Sequence, residues 1–420
     1  MTAQNPSASG EQVSRATCAI VGGGPAGMVL GLLLARAGVT VTVLEKHADF
    51  LRDFRGDTVH PTTLSLLDDL GLIDQFDQLP HSKITTVRLP GSGPNGPIAV
   101  NFGHLPLRHP YVAMVPQWDL LNLIAEAARA EPTFTLLTEH EVTDVVREGE
   151  RIVGVSYQSP QGVGRLIADL TVACDGRWSA VRRAPELPVK DFLVGFDVWW
   201  CRLDTQKPIG ESLIPRFNSG RVAIGIPRTG YLQVAQLGFK GTDAQVSADG
   251  IVAYRANLGR IFPELSTDTE SIGSMDEVKH LDVRLDRLRR WYAPGVLCIG
   301  DAAHAMSPVG GVGINLAVQD AVATARLLAT ALKQGRFAQE PALGLLARVQ
   351  RRRSYPTRVI QALQRFMHRN LIMPALRGRA PRPPRALSSL LRRVPILAAV
   401  PAAILGVGPR PERAPAWARR

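Results

Sequence analysis

The sequence predicts an α/β fold in which a Rossmann-like domain carries an inserted, mainly antiparallel β-sheet domain and a helical, basic C-terminal tail. Three observations favour this fold. A strand–helix–strand pattern opens the chain, short β-like runs separated by Gly, Pro and Asp fill residues 190–285, and a buried-strand pattern followed by a long helical pattern returns in residues 295–332. At 420 residues the chain is long enough for two or three domains' worth of core.

Each predicted element follows from a local pattern. Residues 17–22, TCAIVG, are the β-branched apolar run of a buried parallel strand. A glycine turn, the helix MVLGLLLARAG ending at Gly38 and the strand VTVTVLEK complete a βαβ unit. One helix is predicted in PTTLSLLDDLGLIDQF, with Pro61 in its first turn, and another in WDLLNLIAEAARA. Residues 135–174 alternate as strands do, and INLAVQDAVATARLLATAL is a long helix.

The positive charge is concentrated in the tail. Residues 374–420 contain ten Arg and one Glu, so they carry +9 of the formal net charge of +12. We expect this proline-rich tail, with its apolar insert VPILAAVPAAILGVG, to pack around a domain or stay loose; peripheral contact with an anionic membrane surface is the alternative. Nucleic-acid binding is disfavoured because Trp417 is the only aromatic residue in the tail.

Several classes of protein are disfavoured by composition. The cysteines are widely spaced and form no CxxC pair, which favours free thiols in a reducing cytoplasm; they are Cys18, Cys174, Cys201 and Cys298. The nine histidines show no HExxH spacing, so no metal site is expected. The N-terminal residues lack the apolar core of a signal peptide, and no run of eighteen apolar residues predicts a spanning helix. We therefore expect a cytoplasmic protein.

The first candidate site is a glycine-rich turn between the first strand and the first helix. It consists of Gly22, Gly23, Gly24, Pro25, Ala26 and Gly27, which fit G-x-G-x-x-G. Gly22 makes the tight turn, Gly24 lets a pyrophosphate approach the backbone, and Gly27 lets helix and strand pack closely. Glu45, followed by Lys46, closes the second strand, where a carboxylate can accept both hydroxyls of an adenosine ribose. These features together disfavour a purely structural glycine turn.

Two further stretches place polar residues after predicted strands. ACDGRWSAVRR contains Asp175, Gly176, Ser179 and Arg182. CIGDAAHAMSPVGGVGIN contains Gly300, Asp301, His304, Pro308, Gly310, Gly311, Gly313 and Asn315. Either stretch alone could be a polar strand end followed by a helix cap. Together with the glycine turn, and in this order, they resemble the flavin-dependent aromatic hydroxylases of the para-hydroxybenzoate hydroxylase type, which include ubiquinone-pathway hydroxylases. The resemblance covers residues 17 to about 335.

This resemblance implies FAD as the cofactor. It places Asp301 on the ribityl chain of FAD, and it places Asp175 and Arg182 in a motif thought to serve both the FAD pyrophosphate and NAD(P)H. Arg55 and Gln117 match residues that contact the flavin nucleotide. A metal is not implied.

The glycines of PVGGVGIN would let this loop lie against the isoalloxazine ring. The helix that begins near Gly313, with Ile314 and Asn315 in its first turn, would direct N–H groups at flavin N1 and C2=O and stabilise negative charge there. His304 is interpreted as a packed structural residue rather than an acid or base. The candidate catalytic residues are Pro308 in this loop and Gln233 in the β-sheet domain.

The predicted domain division follows the same resemblance. The FAD-binding domain comprises residues 15–76, 113–186 and 286–335. Substrate-domain strands occupy residues 77–112, and the β-sheet substrate domain occupies residues 187–285. C-terminal helices and the basic, Pro-rich tail follow in residues 336–420.

The implied function is a single-component monooxygenase. NADH or NADPH docks transiently and reduces FAD, O₂ then reacts at flavin C4a, and one oxygen atom enters an electron-rich ring by hydroxylation or epoxidation. A permanent NAD(P)H domain is not expected, because only one nucleotide fingerprint is present. The candidate pocket walls are Trp199, Trp200, Tyr231 and Gln233, although these aromatic residues could also be ordinary sheet core. Few charges punctuate these strands, which favours a hydrophobic aromatic substrate such as a polyketide, prenylated quinolone or quinone precursor in secondary metabolism.

The sequence leaves alternatives of the same fold open. Flavin-dependent halogenases carry a W-x-W-x-I-P stretch that is absent from this sequence. A prenyl reductase would saturate a polyprenyl chain without O₂. A flavin- or ligand-binding protein without turnover is the alternative from another class.

Overall fold

Two large β-sheets, three smaller ones and the helices packed on them form the described part of the computed structural model. The structure describes residues 12–51, 57–88, 98–207, 212–228, 230–340, 342–379, 389–390 and 393–420. Among the described helices, none combines the length and the apolar character that crossing a lipid bilayer requires.

Strands and helices are interspersed along the chain. The strands are β1 (Gln12–Val21), β2 (Val41–Leu44), β3 (Thr58–Val59), β4 (Ser82–Ile84), β5 (Thr86–Arg88), β6 (Ile98–Asn101), β7 (Val112–Met114), β8 (Phe134–Leu137), β9 (Glu141–Glu148), β10 (Arg151–Ser159), β11 (Gly162–Ala173), β12 (Val189–Asp191), β13 (Phe196–Asp204), β14 (Ile214–Asn218), β15 (Arg221–Arg228), β16 (Tyr231–Phe239), β17 (Lys279–Leu281), β18 (Asp286–Leu288), β19 (Tyr292–Ala293) and β20 (Val296–Cys298). The helices are α1 (Pro25–Arg36), α2 (Pro61–Asp69), α3 (Ile73–Gln78), α4 (Gln117–Arg129), α5 (Ala180–Arg183), α6 (Asp243–Ile261), α7 (Gly313–Lys333), α8 (Arg336–Gln339), α9 (Leu343–Met367), α10 (Met373–Leu376) and α11 (Ala399–Ala402).

The central sheet has eight strands and a parallel core. Its main path runs β19–β20–β11–β1–β2–β8, and all these neighbours are parallel except β19 with β20. β9 and β10 extend β11 as antiparallel strands. The second half of β1 is buried, as expected for a parallel strand covered on both faces. The carboxyl ends of β1, β2, β11 and β20 lie at one edge, so the residues that follow these strands meet there.

The second sheet is antiparallel and has the order β14–β15–β16–β13–β17. Side chains alternate between its two faces. One face, which includes Trp199 and Val234, packs on α6. The opposite face includes Trp200 and Ile224 and lies against residues 372–376 and Val309. The helix α6 was not predicted, because its short apolar groups fit the surrounding β-like texture of residues 190–285.

Two further details of the sequence prediction are corrected. The predicted helix in PTTLSLLDDLGLIDQF is two helices, α2 and α3, because Gly71 between them adopts a positive φ of 72° and breaks the helical path. The first strand begins at Gln12, five residues earlier than predicted, and its added residues pair with the start of β11.

The C-terminal residues fold back onto the rest of the chain. The segment around α11 lies against β6 and Phe102, and the terminal residues reach the central domain. Nη1 of Arg36 donates to the carbonyl oxygen of Ala418 at 2.8 Å, and the backbone N–H of Ala414 donates to Asp69. Glu412 is buried and forms an ion pair with Arg352. These contacts hold described residues of the C-terminal segment, 399–420, against the rest of the chain.

Candidate active site

The glycine turn after β1 combines two crowded positions with one open position. A Cβ atom on Gly22, whose φ is 102°, would lie 2.6 Å from the carbonyl oxygen of Cys174, and one on Gly27 would lie 2.0 Å from the carbonyl oxygen of Gly22. A Cβ atom on Gly24 would meet nothing within 4 Å. Gly24 is also the N-cap of α1 and has no side chain to cap its first N–H groups. The turn thus offers backbone donors in open space, as a pyrophosphate requires.

Glu45 lies beside this turn, directly after β2. Its side chain is buried; Oε2 accepts the backbone N–H of Gly23 at 2.9 Å, and Oε1 accepts that of His47 at 3.0 Å. A carboxylate at this position, beside the glycine turn, is a group that can accept hydrogen bonds from ribose hydroxyls. Lys46 is exposed next to it. Arg55 lies outside the described residues.

Asp175 follows β11 at the same edge. Its Oδ2 accepts the backbone N–H of Ala180 at 2.9 Å, whereas Oδ1 is buried without a partner in the described part of the chain. Burial raises the pKa of Asp175, and hydrogen bonds from α5 partly oppose this. The neighbouring Arg182 lies 3.4 Å from Asp286, which connects α5 with β18. The unpaired Oδ1 atom is an acceptor that a cofactor hydroxyl or a donor on a nucleotide could satisfy.

The segment after β20, residues 300–304, forms a loop that we call the GD loop. Oδ2 of Asp301 lies 3.8 Å from Nη2 of Arg177, and about a third of the Asp301 side chain is exposed. Burial raises the pKa of Asp301, and the charge of Arg177 opposes this rise. His304, in contrast, is buried and donates to Asp320. His304 is therefore packed into the structure, as the interpretation of the sequence states.

Residues 307–313 form the loop expected beside the flavin, and we call it the flavin loop. Thr58 Oγ1 and His60 Nε2 both donate to the carbonyl oxygen of Gly311, at 2.8 and 2.9 Å. Gly310 and Gly311 have positive φ values of 85° and 63°, and a Cβ atom on Gly311 would lie 2.7 Å from Thr58 Oγ1. Burial lowers the pKa of His60 to about 4, so His60 is neutral near pH 7. The loop is held by neutral donors.

The first turn of α7 begins where this loop ends. Val312 is its N-cap and has no polar side chain to cap the first N–H groups. Ile314 is buried, and Asn315 is buried with its Oδ1 accepting hydrogen bonds from the hydroxyl groups of α2, Thr62 at 2.7 Å and Thr63 at 2.9 Å. The Asn315 side chain thus joins α2 to α7, which leaves the backbone of this turn as the part available to a ligand. Pro308 is half-buried in the loop.

A buried cluster joins the second sheet to this region. Arg228, at the end of β15, donates through Nη2 to Oδ2 of Asp57 and through Nε to Oε1 of Gln233, the latter at 3.0 Å. Gln117 begins α4, and the backbone N–H of Val115, two residues before it, donates to the carbonyl oxygen of Asp57 at 3.0 Å. Burial raises the pKa of Asp57, and the guanidinium of Arg228 opposes this rise. Because Asp57 precedes Thr58, this cluster lies next to the flavin loop.

Asp57 and Arg228 were not identified from the sequence. The available signal was the charged residue Arg228 at the end of the apolar strand pattern RVAIGIPR. Charged residues are common at strand ends, so this signal carries little information. Gln233, predicted as catalytic, is almost completely buried and uses its oxygen to hold Arg228.

The predicted pocket walls divide between the two faces of the second sheet. Trp200, Tyr231 and Gln233 lie on the face toward the flavin loop, whereas Trp199 lies on the face toward α6 and donates through Nε1 to Asp243 at 2.9 Å. Trp199 is therefore ordinary sheet core. Nε1 of Trp200 is buried and has no partner in the described residues.

These arrangements fit FAD. Backbone donors in open space, the buried carboxylate of Glu45, the unpaired oxygen of Asp175 and an uncapped helix start all follow neighbouring parallel strands in the chain. That edge of an open α/β sheet is where such folds bind dinucleotides.

Comparisons with known proteins agree with an FAD site. A family model described as an FAD binding domain matches residues 15–361. The chain is 34% identical to 6-methylpretetramide 4-monooxygenase from Streptomyces rimosus, over 75% of this chain and 75% of that protein. It is 28% identical to protoasukamycin 4-monooxygenase from Streptomyces nodosus subsp. asukaensis, over 80% of this chain and 84% of that protein.

Solved structures share the fold. The OxyS anhydrotetracycline hydroxylase from Streptomyces rimosus superposes with a TM-score of 0.73 at 23% identity, covering 93% of this chain and 76% of that one. The p-nitrophenol 4-monooxygenase PnpA from Pseudomonas putida DLL-E4 gives 0.71 at 20% identity, covering 94% and 96%. The predictions of an α/β fold with an FAD-binding domain and of the aromatic-hydroxylase family are confirmed. The chain belongs to the FAD-dependent aromatic monooxygenases, and it is an enzyme that uses FAD, a reduced nicotinamide nucleotide and O₂.

Proposed function

We propose that this monooxygenase inserts one oxygen atom into a hydrophobic aromatic substrate of polyketide origin. The observation that carries the proposal is the apolar face of the second sheet, where Trp200, Ile224 and Ile226 lie in clusters continuous with the flavin-loop side. Burial of a large apolar ring against such a face is favourable by about 25 cal/mol per Å². The relatives named for 6-methylpretetramide and protoasukamycin support the same substrate class.

Groups from several elements would hold FAD. The turn of Gly22–Gly27 and the start of α1 would bind its pyrophosphate, Glu45 its adenosine ribose, and Asp301 its ribityl chain, while Asp175 would offer its unpaired oxygen. Bound there, FAD would supply the redox chemistry of the site: acceptance of hydride from the nicotinamide nucleotide and, in its reduced form, activation of O₂. The first turn of α7 would direct its N–H groups at the pyrimidine end of the flavin ring.

The remaining side chains would hold the flavin loop in place and form the walls of the site. Thr58 and neutral His60 fix Gly311 and therefore the course of the flavin loop. Pro308 would form the wall between flavin and substrate. Gln233, whose oxygen is taken up by Arg228, would act through that guanidinium as a positioning residue rather than by touching the substrate. An apolar surrounding that excludes water would strengthen the electrostatic contacts of these side chains.

We also propose the domain division that the sequence predicts: FAD-binding residues 15–76, 113–186 and 286–335, substrate-domain residues 77–112 and 187–285, and the C-terminal part 336–420. A cytoplasmic location and contact of the tail with a membrane surface stay predictions. The buried contacts of Glu412 and Ala418 support a tail that packs on its own domain.

The test is anaerobic reduction of the bound flavin. Purified holoenzyme is mixed with NADH or NADPH without oxygen, with and without a panel of polycyclic phenols and small hydroxybenzoates, and bleaching of the flavin band is followed. We expect one hydrophobic aromatic to accelerate bleaching, and oxygen then to yield a product heavier by one oxygen atom. Acceleration by small hydroxybenzoates alone would exclude the polyketide substrate. A flavin that neither nucleotide reduces would leave a non-turnover binding role, and turnover that requires halide or a polyprenyl chain would favour the halogenase or reductase alternatives.

A further inference from the structure

A cleft of about 290 Å³ lies outside the flavin site, between the two-stranded sheet β12–β18 and α9. Half of its lining residues are cationic, and we call it the basic cleft. It is lined by Lys190, Arg287, Leu288, Arg289, Trp291, Gln350, Ser354 and Arg358. A concave surface that gathers like charges from separate elements is typical of a site for an anion.

Two of these cations face each other directly. Lys190 of β12 is the antiparallel partner of Arg287 in β18, so both side chains lie on the same face of this small sheet. The carboxylates of Asp191 and Asp286 belong to the next register position and lie on the opposite face. Like charges directly opposite in a β-ladder destabilise it. A bound anion would remove this repulsion.

A helix adds further positive charge to the same place. Arg358 lies on α9, and Arg365 follows it by seven residues, which puts both on one side of the helix. Burial lowers the pKa of Arg287, and the charges of Arg358 and Arg365 lower it further. The ring of Phe192 contacts three of these cations: Lys190 at 5.5 Å, Arg287 at 5.1 Å and Arg365 at 4.7 Å. Cation–π contact offsets only part of the repulsion.

In the ranges that the structure describes, no ion pair involves Lys190, Arg287, Arg289 or Arg358. Other arginines of the same region do form ion pairs with carboxylates. These pairs are Arg182 with Asp286, Arg284 with Asp282 and Arg352 with Glu412. The partner of Arg287 is the neutral Oε1 of Gln361, at 3.0 Å. Its remaining guanidinium N–H groups are suited to a phosphate, which arginine can bind with two parallel bonds.

The floor of the cleft connects it with the flavin site. Trp291 is buried beneath the cleft, and its ring lies 5.1 Å from that of His304 in the GD loop. The backbone N–H of Cys298, at the end of β20, donates to the carbonyl oxygen of Trp291 at 2.7 Å. The cleft therefore lies at the level of the carboxyl end of the strand that leads into Asp301.

We propose that the basic cleft docks the phosphate groups of the nicotinamide nucleotide that reduces the flavin. The proposal rests on the proposed hydride transfer from that nucleotide. Two phosphate sources share this chemistry: the pyrophosphate, which NADH and NADPH both carry, and the 2′-phosphate, which NADPH alone carries. Adenosine 5′-diphosphate and adenosine 2′,5′-bisphosphate distinguish these sources, because the first carries only the pyrophosphate and the second carries the 2′-phosphate.

The experiment measures by calorimetry how tightly the holoenzyme binds adenosine 5′-diphosphate, adenosine 2′,5′-bisphosphate and inorganic phosphate. We expect Arg287→Gln/Arg358→Gln to weaken binding of at least one nucleotide by about tenfold or more, which is about 1.4 kcal/mol. The NADPH or NADH concentration that gives half-maximal anaerobic flavin reduction should rise by a similar factor, with the limiting rate unchanged. Inorganic phosphate should compete with the nucleotide.

The matched control is Arg348→Gln/Arg351→Gln. Both residues are exposed on α9 and do not line the cleft. This control variant therefore loses two positive charges, as many as Arg287→Gln/Arg358→Gln does. Equal weakening in the two double variants would overturn the proposal, because only long-range charge would then matter. Unchanged nucleotide binding in Arg287→Gln/Arg358→Gln, with FAD content and melting temperature as in the wild type, would overturn it too. Should neither NADH nor NADPH reduce the flavin, the proposed function fails, and the calorimetry still decides whether the cleft binds a nucleotide phosphate.

Discussion

Nε2 of His304 donates to Oδ2 of Asp320 across 2.6 Å, between the GD loop and α7. The same oxygen accepts the backbone N–H of Gly300, and the other oxygen accepts Nε of Arg353 at 2.8 Å. The three side chains of this network are at most 1% exposed. Because Gly300 precedes Asp301, Asp320 holds the backbone of the residue that we propose to bind the ribityl chain.

We expect Asp320→Asn to destabilise the protein by about 3–5 kcal/mol, because the substitution removes the carboxylate that lies 2.8 Å from the buried Arg353, while Glu412, the other carboxylate beside Arg353, lies 3.8 Å away. Burial raises the pKa of Asp320, but His304 and Arg353 outweigh this effect, so its pKa lies below the usual range and the group is charged. The variant should also release FAD more readily. Urea unfolding of the apoprotein and titration with FAD measure the two effects. Glu150→Gln, which removes an exposed carboxylate, is the control, and a loss below about 1 kcal/mol in Asp320→Asn would contradict the expectation.

His60 should lower the stability of the folded protein as the pH becomes mildly acidic. Its folded-state pKa is lowered to about 4 by burial, whereas an unfolded histidine has a pKa of about 6.5. Between these values the unfolded state binds more protons, so stability falls as the pH drops from about 6.5 toward 4. The loss due to His60 should be about 2 kcal/mol at pH 5 relative to pH 7.

Unfolding curves at pH 5 and pH 7 test this expectation. His60→Gln should flatten the pH dependence, and so should His368→Gln, because burial also lowers the pKa of His368 to about 4. Replacement of the exposed His104 by Gln is the control. Wild-type pH dependence in His60→Gln would show that the histidine is not held neutral.

Two glycine substitutions should separate folding from cofactor binding. Gly24 has φ −73°, which alanine adopts readily, and open space around its Cβ position, so Gly24→Ala should leave apoprotein stability unchanged. The added methyl group would occupy the approach of the pyrophosphate, and FAD affinity should fall about tenfold or more. Gly27→Ala places a Cβ atom 2.0 Å from the carbonyl oxygen of Gly22 and should cost about 1–3 kcal/mol of stability. Melting of the apoproteins and FAD titration provide the readouts; equal FAD affinity in Gly24→Ala and wild type would place the pyrophosphate elsewhere.

The buried pair of Asp57 and Arg228 should behave as a coupled unit. Arg228→Met leaves the carboxylate of Asp57 buried without its cation and should cost about 3–5 kcal/mol. Asp57→Asn/Arg228→Met removes both charges and should be more stable than Arg228→Met alone. Denaturant unfolding of the two single variants and the double variant completes the cycle. Strict additivity of the three free-energy changes would mean that the two side chains do not interact.

Local sequence patterns were sufficient where a structure is built from neighbouring residues. Short sequence patterns predicted the glycine turn, Glu45 at the end of β2 and Asp301 after β20. A strand end, a turn and a helix start are each specified within about ten residues. The helix α6 was not predicted since its apolar residues have no marked periodicity, and packing against Trp199 and Val234 stabilises it.

The sequence by itself determined the parallel core and the glycine turn, because each depends on residue types that lie close together in the chain, and its motifs carried the resemblance that indicated the family. Only the tertiary structure decided which charges meet. Asp57 and Arg228 are 171 residues apart, Lys190 and Arg287 approach only because β12 pairs with β18, and Glu412 reaches Arg352 only because the tail folds back. Electrostatic interactions depend on distance in space and on burial, and neither quantity is encoded at any one position of the chain.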